Sequence, residues 1–298
     1  MATLKDVQLK ISAVKKTKQI TKAMNMVATS RLRGCQQATD AFRPYADKFA
    51  EVLGSLAGKA GGEANPLLVP HDEVHHVHVV LCTSDRGLCG GFNLNLIEKA
   101  EALAKKTIQD GAKVSFTHFG KKGRDWARKL DYERVEEHLG VVGTRIPFSS
   151  AAKTGRQLVD RFLDGTYDKV YVVYSLFESM ARQKPLVQQL LPIPALQAEA
   201  EADAGDADSP YMAEHICEPS PAQLLGTLLP RNVYVQLFKA LLETSTSEHA
   251  ARMMAMENAT KACNDIIERL TLAYNKARQA AITAELMDIV GGAEALKG

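Results

Sequence analysis

Apolar positions recur every three or four residues at both ends of this chain, and in short unbroken runs between them. The first glycine is Gly34 and the first proline is Pro44, so the opening segment reads as uninterrupted helix. Leu4, Val7, Ile11 and Val14 step by 3, 4 and 3. A second set, Cys35, Ala38, Phe42, Tyr45, Phe49, Val52 and Leu56, also steps by 3 and 4. Such spacing predicts the seam of a coiled coil. Between the sets the seam passes through Thr17, Thr21, Met24, Ala28 and Arg31, which implies a one-step slip of phase. Pro44 removes one backbone donor and predicts a bend or joint.

The other end is more regular. Residues 231–290 hold neither Gly nor Pro, and Ala259, Cys263, Ile266, Leu270, Ala273, Ala277, Ala280, Ala284 and Met287 step by 4 and 3. Gly291 and Gly292 predict the stop. At 1.5 Å per residue the segment would be a rod of roughly 90 Å. Two separate amphipathic helices packed on the central domain are the alternative; the unbroken 3–4 spacing argues for a paired coil.

In between, the period changes. Residues 74–84 (VHHVHVVLCTS), 113–119 and 169–177 (KVYVVYSLF) read as strands, residues 93–109 and 149–164 as helices, and residues 185–193 as a further strand. Alternation of this kind predicts an inserted α/β layer of parallel type, Rossmann-like in outline. The helices flank it, so if they pair they run antiparallel. The expected domains are a coiled-coil helix over 1–58, a central α/β domain over 70–215 with an acidic flexible loop at about 196–212, and a second coiled-coil helix over 220–290.

Composition narrows the function. The chain has 298 residues, 46% hydrophobic and 24% charged, as a globular protein should. Five cysteines without a CxxC pair suggest reduced thiols. Lys5, Lys10, Lys15 and Lys16 interrupt any secretory signal, and no apolar run is long enough to span a membrane. The net charge of +2 conceals a one-signed stretch: residues 1–33 carry eight basic residues against Asp6 alone. Such a stretch favours an acidic protein surface as partner over DNA, which would require a basic region leading into a parallel zipper.

The candidate chemistry is incomplete. Residues 84–93 (SDRGLCGGFN) lie between a strand and a helix, where a Rossmann-type fold places its phosphate loop, yet match neither G-x-G-x-x-G nor the P-loop pattern. Gly87, Gly90 and Gly91 are therefore read as structural. His71, His75, His76 and His78 cluster at the first strand, as metal ligands or as strand histidines. Cys89 would be a nucleophile only beside a base.

Residues 10–14 (KISAV), 17–28 (TKQITKAMNMVA), 247–256 (SEHAARMMAM) and 274–283 (YNKARQAAIT), followed by Glu285, Ile289, Val290, Gly292 and Ala293, strongly resemble the gamma subunit of F-type ATP synthase. The loop 84–93 resembles that family's central signature, and the likeness runs the whole chain, weakest at about 195–220. The resemblance implies a rotor shaft without catalytic residue, cofactor or metal, turning inside three alpha and three beta subunits. It implies an α/β foot that meets the epsilon subunit and the c-ring, no nucleic acid, and membrane contact only through the complex. Residue by residue it implies contact with the alpha/beta ring at Lys15, Lys18, Lys22, Met24, Arg252, Arg278, Gln279 and Thr283. The lack of a close cysteine pair and of a transit peptide points to a bacterial chain on the cytoplasmic face of the inner membrane. An α/β enzyme with helical arms and a coiled-coil adaptor or nucleic-acid binder remain as alternatives.

Overall fold

A computed structural model describes residues 4–59, 65–143, 145–194 and 220–295. The elements run α1 (Leu4–Lys59), β1 (His76–Cys82), α2 (Phe92–Gln109), β2 (Lys113–Phe119), α3 (Lys121–Lys129), β3 (Glu133–His138), α4 (Phe148–Leu163), β4 (Lys169–Phe177), β5 (Gln183–Leu191) and α5 (Pro221–Ala295). They form two compact units, Met1–Thr29 with Arg252–Gly298, and Ser30–Ala251. The acidic stretch and Cys217 lie outside the described residues.

The Ser30–Ala251 unit is built on a five-stranded sheet of order β3-β2-β1-β4-β5. The apolar runs of β1 and β4 are buried on both faces, as central parallel strands require. Val77, Val79, Leu81 and Phe116 face Phe92, Leu96 and Ala100 of α2. Val80, Cys82, Val170 and Val172 face α4 and the neighbouring parts of α1 and α5. The sheet is mixed, not wholly parallel: β5 runs antiparallel to β4. Only residues 178–182 join them, too few for the crossover that a parallel pair needs. Two elements carry no apolar signal in the sequence. α3 (KKGRDWARK) buries only Gly123 and Ala127, and β3 (ERVEEH) is a charged edge strand, a composition that discourages pairing with other chains.

Both long helices cross their expected boundaries. Pro44 stands inside α1, and α5 begins at Pro221, contains Pro230 and continues through Gly291 and Gly292. A glycine in a helix costs only about 1 kcal/mol, so the pair is a weak stop.

The buried stripes also correct the sequence reading. In the first unit α1 covers Leu4, Val7, Ile11, Val14, Lys18, Thr21, Asn25 and Ala28, and in the second Leu32, Cys35, Thr39, Phe42, Ala46, Phe49, Leu53 and Leu56. The 3–4 spacing has no phase slip. Thr17, Arg31, Ala38 and Tyr45 are exposed. Along α5 the stripe is Met253, Met256, Thr260, Cys263, Ile267, Leu270, Tyr274, Ala277 and Ala281, so Ile266, Ala273, Ala280, Ala284 and Met287 lie off it. The expected seam runs one step from the covered one at Thr17, Arg31, Ala38, Tyr45, Ile266, Ala273 and Ala280, residues of every size. The covered positions that it passed over include the large apolar Leu32, Leu53 and Ile267, and also the polar Asn25, Thr39 and Thr260, which are bonded. Thr21 Oγ1 meets Thr260 Oγ1 at 2.8 Å, and Asn25 Nδ2 donates to the Met253 carbonyl at 2.8 Å. In the second unit Thr39 Oγ1 meets Thr246 Oγ1 at 3.1 Å.

Candidate functional site

Within the first unit, the basic run of α1 lies on exposed helix. Lys15 and Lys22 are exposed, Lys18 is half-buried on the stripe, and Met24 is half-buried beside it. None of the three lysines has an ion-pair partner among the described residues. Ile20, Met26 and Val27 are also exposed, at 60%, 59% and 56%. Sequence reasoning left these three out of the candidate set; the signal was an apolar residue off the stripe. Lysines interleaved with exposed apolar side chains make a surface suited to a partner that is acidic and partly apolar.

On α5, Arg278, Gln279 and Thr283 are exposed, and Thr283 Oγ1 donates to the Gln279 carbonyl at 2.9 Å. The stripe ends at Ala281. Beyond it Ile282, Leu286, Met287, Ile289 and Val290 are all exposed. Arg252 differs from the rest of the candidate set, being 8% exposed.

The glycine loop belongs to the second unit, and its polar groups satisfy one another. Ser84 N donates to Asn93 Oδ1 at 2.9 Å, and Asn93 Nδ2 donates to Ser84 Oγ at 2.7 Å and to Cys89 Sγ at 3.1 Å. Asp85 accepts from Lys121 N at 3.0 Å and from Gly140 N at 2.8 Å, tying the loop to α3 and to the turn after β3. A carboxylate in that place opposes a phosphate. Gly90 has φ +60°, in the left-handed region, whereas a Cβ on Gly87 or Gly91 would make only ordinary contacts. The strongest demand for glycine is elsewhere: Gly120 has φ +102°, and a Cβ there would collide with the Thr83 carbonyl.

The histidines divide among separate partners. His71 Nδ1 meets Asp168 Oδ1 at 2.9 Å, and His75 Nε2 meets Glu73 Oε2 at 3.0 Å. His76 Nε2 and His78 Nδ1 both meet Ser115 Oγ at 2.8 Å, and His78 Nε2 meets Thr117 Oγ1 at 2.9 Å. Burial, reinforced by His76, Arg161 and His118, holds the His78 imidazole down at about 3, so it is neutral. The described residues contain no cluster of His, Cys, Asp and Glu able to hold a metal ion.

The ATP synthase family model matches residues 3–296. The ATP synthase gamma chain of Desulfosudis oleivorans is 65% identical over 299 residues, covering 100% of both chains. That of Nitratidesulfovibrio vulgaris Hildenborough is 53% identical over 298 residues, again covering 100% of both. Among solved structures, a chain of the Euglena gracilis mitochondrial ATP synthase (OSCP/F1/c-ring, rotational state 3) aligns with TM-score 0.69 at 22% identity, covering 98% of this chain and 94% of that one. A chain of the same enzyme's rotor in rotational state 1 aligns with TM-score 0.65 at 20% identity, covering 94% and 98%. These structures establish a common fold, and the sequence matches go further: the chain belongs to the ATP synthase gamma-chain family.

Proposed function

We propose that this chain is the central rotor of an ATP synthase, itself non-catalytic, passing rotation between a c-ring and a ring of three alpha and three beta subunits. The observation that carries the proposal is family membership over the full length. The expected pairing of the chain's two ends as an antiparallel coiled coil is supported by rising numbers on α1 meeting falling numbers on α5: Thr21 meets Thr260 and Asn25 meets Met253. In this reading residues 1–58 and 220–290 supply the shaft, and residues 70–215 supply a foot that docks on epsilon and the c-ring.

Coupling follows from asymmetry. A shaft with Lys15, Lys18, Lys22, Met24, Ile20, Met26 and Val27 on its surface offers different faces to three identical beta subunits at one instant. Acidic beta loops facing the lysines bind more favourably than those facing elsewhere, and that difference biases each subunit's nucleotide affinity. Arg278, Gln279 and Thr283 supply a second set of contacts on α5. Arg252, nearly covered within the chain, contributes less directly. Of the three loop glycines proposed as structural, Gly90 has support in its positive φ while Gly87 and Gly91 have room for a side chain, and Asp85 makes that loop unsuited to a nucleotide phosphate. The placement is peripheral, on the cytoplasmic face of a bacterial inner membrane; no described helix is long and apolar enough to cross one.

Co-expression with alpha, beta and epsilon subunits of a bacterial relative tests this. The expected outcome is a complex with three alpha and three beta subunits per copy of this chain, rotating on ATP, while the purified chain alone shows no ATP turnover. Failure to enter the complex, or turnover by the pure chain that is lost on Asp85→Ala, would sink the proposal.

A further inference from the structure

In a doubly wound sheet the ligand crevice lies at the carboxyl ends of the strands, where the strand order reverses. Here the order reverses between β1 and β4, and the chain fills the carboxyl end of β4 with its own helix. Every residue of α5 from 241 to 250 is buried, although four of them are Thr or Ser and three are Glu or His. Glu243 Oε2 accepts from Phe177 N at 3.0 Å, and Ser247 Oγ donates to the Ser175 carbonyl at 3.2 Å. Ser245 Oγ accepts from Gly143 N at 3.0 Å, and His249 Nε2 donates to the Gly143 carbonyl at 3.0 Å. Thr246 bonds Thr39 of α1.

We infer that Glu243, Ser245, Thr246, Ser247 and His249 form a rotational lock that fixes the azimuth of this part of α5 against the sheet, with Glu243 as its principal positioning residue.

Helical geometry carries the inference. Each residue advances about 100° around the axis. Glu243 and Ser247 therefore point one way, towards β4. Ser245 and His249 point to the opposite side, towards the turn at Gly143. Thr246 lies between the two directions, against α1. An apolar stripe tolerates small rotations, because dispersion contacts are non-directional. Hydrogen bonds weaken steeply off axis. A helix held by them from three directions cannot turn without breaking a buried one, whose donor or acceptor then has no water to replace its partner. The lock thus supplies what apolar packing lacks, resistance to twisting about the helix axis. It also accounts for a run of polar residues buried all round, which a solvent-facing helix would not need.

The inference rests on the rotor reading for its purpose, not for its geometry, and two measurements separate them. In the assembled complex, with the alpha/beta ring fixed and a bead attached to the sheet unit at α2, the angular fluctuation of the stalled rotor is recorded. Glu243→Ala combined with Ser247→Ala should broaden its variance roughly twofold, since a buried acceptor and a buried donor are lost. Glu243→Gln retains an acceptor for Phe177 N and should restore most of the wild-type variance. Leu158→Ala, in the core on α4, should lower the melting temperature without broadening the variance. An unchanged variance in the double variant, or equal broadening in Leu158→Ala, overturns the lock. In the isolated full chain, amide exchange at Phe177 should be slow in wild type and Glu243→Gln and fast in Glu243→Ala. Fast exchange in wild type overturns the lock whether or not the chain rotates. Slow exchange in a chain that enters no complex overturns the rotor reading and leaves the lock standing.

Discussion

Residues 241–250 and 282–293 belong to one helix and have opposite surroundings. The first segment is buried on every side, and the second is exposed on every side although it carries Ile282, Leu286, Met287, Ile289 and Val290. Composition alone would reverse them, since the first holds Glu243, Thr244, Ser245, Thr246, Ser247, Glu248 and His249. Polar groups can be enclosed when each finds a bond, and apolar ones can be left open when another molecule is to cover them. Within one helix, then, burial marks where the chain holds itself together, and exposed apolar surface is what a partner would cover under the proposed rotor reading.

The sharpest way to break this contrast is to truncate both segments. Leu241→Ala, at a fully buried position, should cost about 2–5 kcal/mol in chemical denaturation. Met287→Ala, at 68% exposure, should stay within about 0.5 kcal/mol. Equal losses would mean that the second segment is covered in the free chain.

Acid should distinguish the units next. Burial holds His78 at about 3 and His118 at about 4, from an ordinary 6.5, each helped by nearby basic groups. Both pKa values are lower folded than unfolded, so the unfolded chain binds more protons below pH 6.5. Stability is complete above that value and declines as pH falls through the window down to 3–4. At one unit below 6.5 the loss is about 1.4 kcal/mol per histidine. Residues 4–29 and 252–295 contain no histidine. Amide exchange at pH 5.5 should therefore quicken in the sheet before it quickens in those segments, and His118→Phe should reduce the difference.

A smaller effect tests the exposed basic face. Replacing Lys15, Lys18 and Lys22 by Glu should slow association with the alpha/beta ring roughly tenfold at low salt and flatten the salt dependence. Stopped-flow rates unaffected by the substitution would move the contact elsewhere. Smallest of all, a double-mutant cycle on Thr21→Val and Thr260→Val should give a coupling of about 0.5–1.5 kcal/mol. Zero coupling would mean that this hydroxyl pair adds nothing to the stripe.

The sequence discloses β1, β2 and β4, because strands buried on both faces carry dense apolar residues, although Ser115, Thr117, His78 and His118 are buried among them. It discloses ten of the sixteen covered positions of α1, Phe42 and Phe49 among them, but on α5 only Cys263, Leu270 and Ala277. The remainder is divided: Leu32, Leu53 and Ile267 are apolar and lie one step from Arg31, Val52 and Ile266, while the polar positions are hidden by their chemistry. Asn25, Thr39 and Thr260 look like surface until the partner hydroxyl or carbonyl on the other helix is known. α3 and β3 were not legible, since an edge strand and a charged helix need little apolar surface. For the contact residues the spacing is silent, and only the resemblance names Arg278 or Thr283. Ile20, Met26 and Val27 were legible in principle, as apolar residues one step off the stripe.

The bare end of α5 also bears on how the protein is made. Among the described residues five large apolar side chains beyond Ala281 are exposed, and a helix in that condition is prone to self-association. Newly synthesised chain is then safest when alpha and beta subunits are already waiting, and excess chain becomes a substrate for chaperones and proteases. Supply in step with its partners would be a condition of keeping it in solution. Sedimentation of the chain expressed alone, compared with a form ending at Ala281, should show aggregation in the first and little in the second.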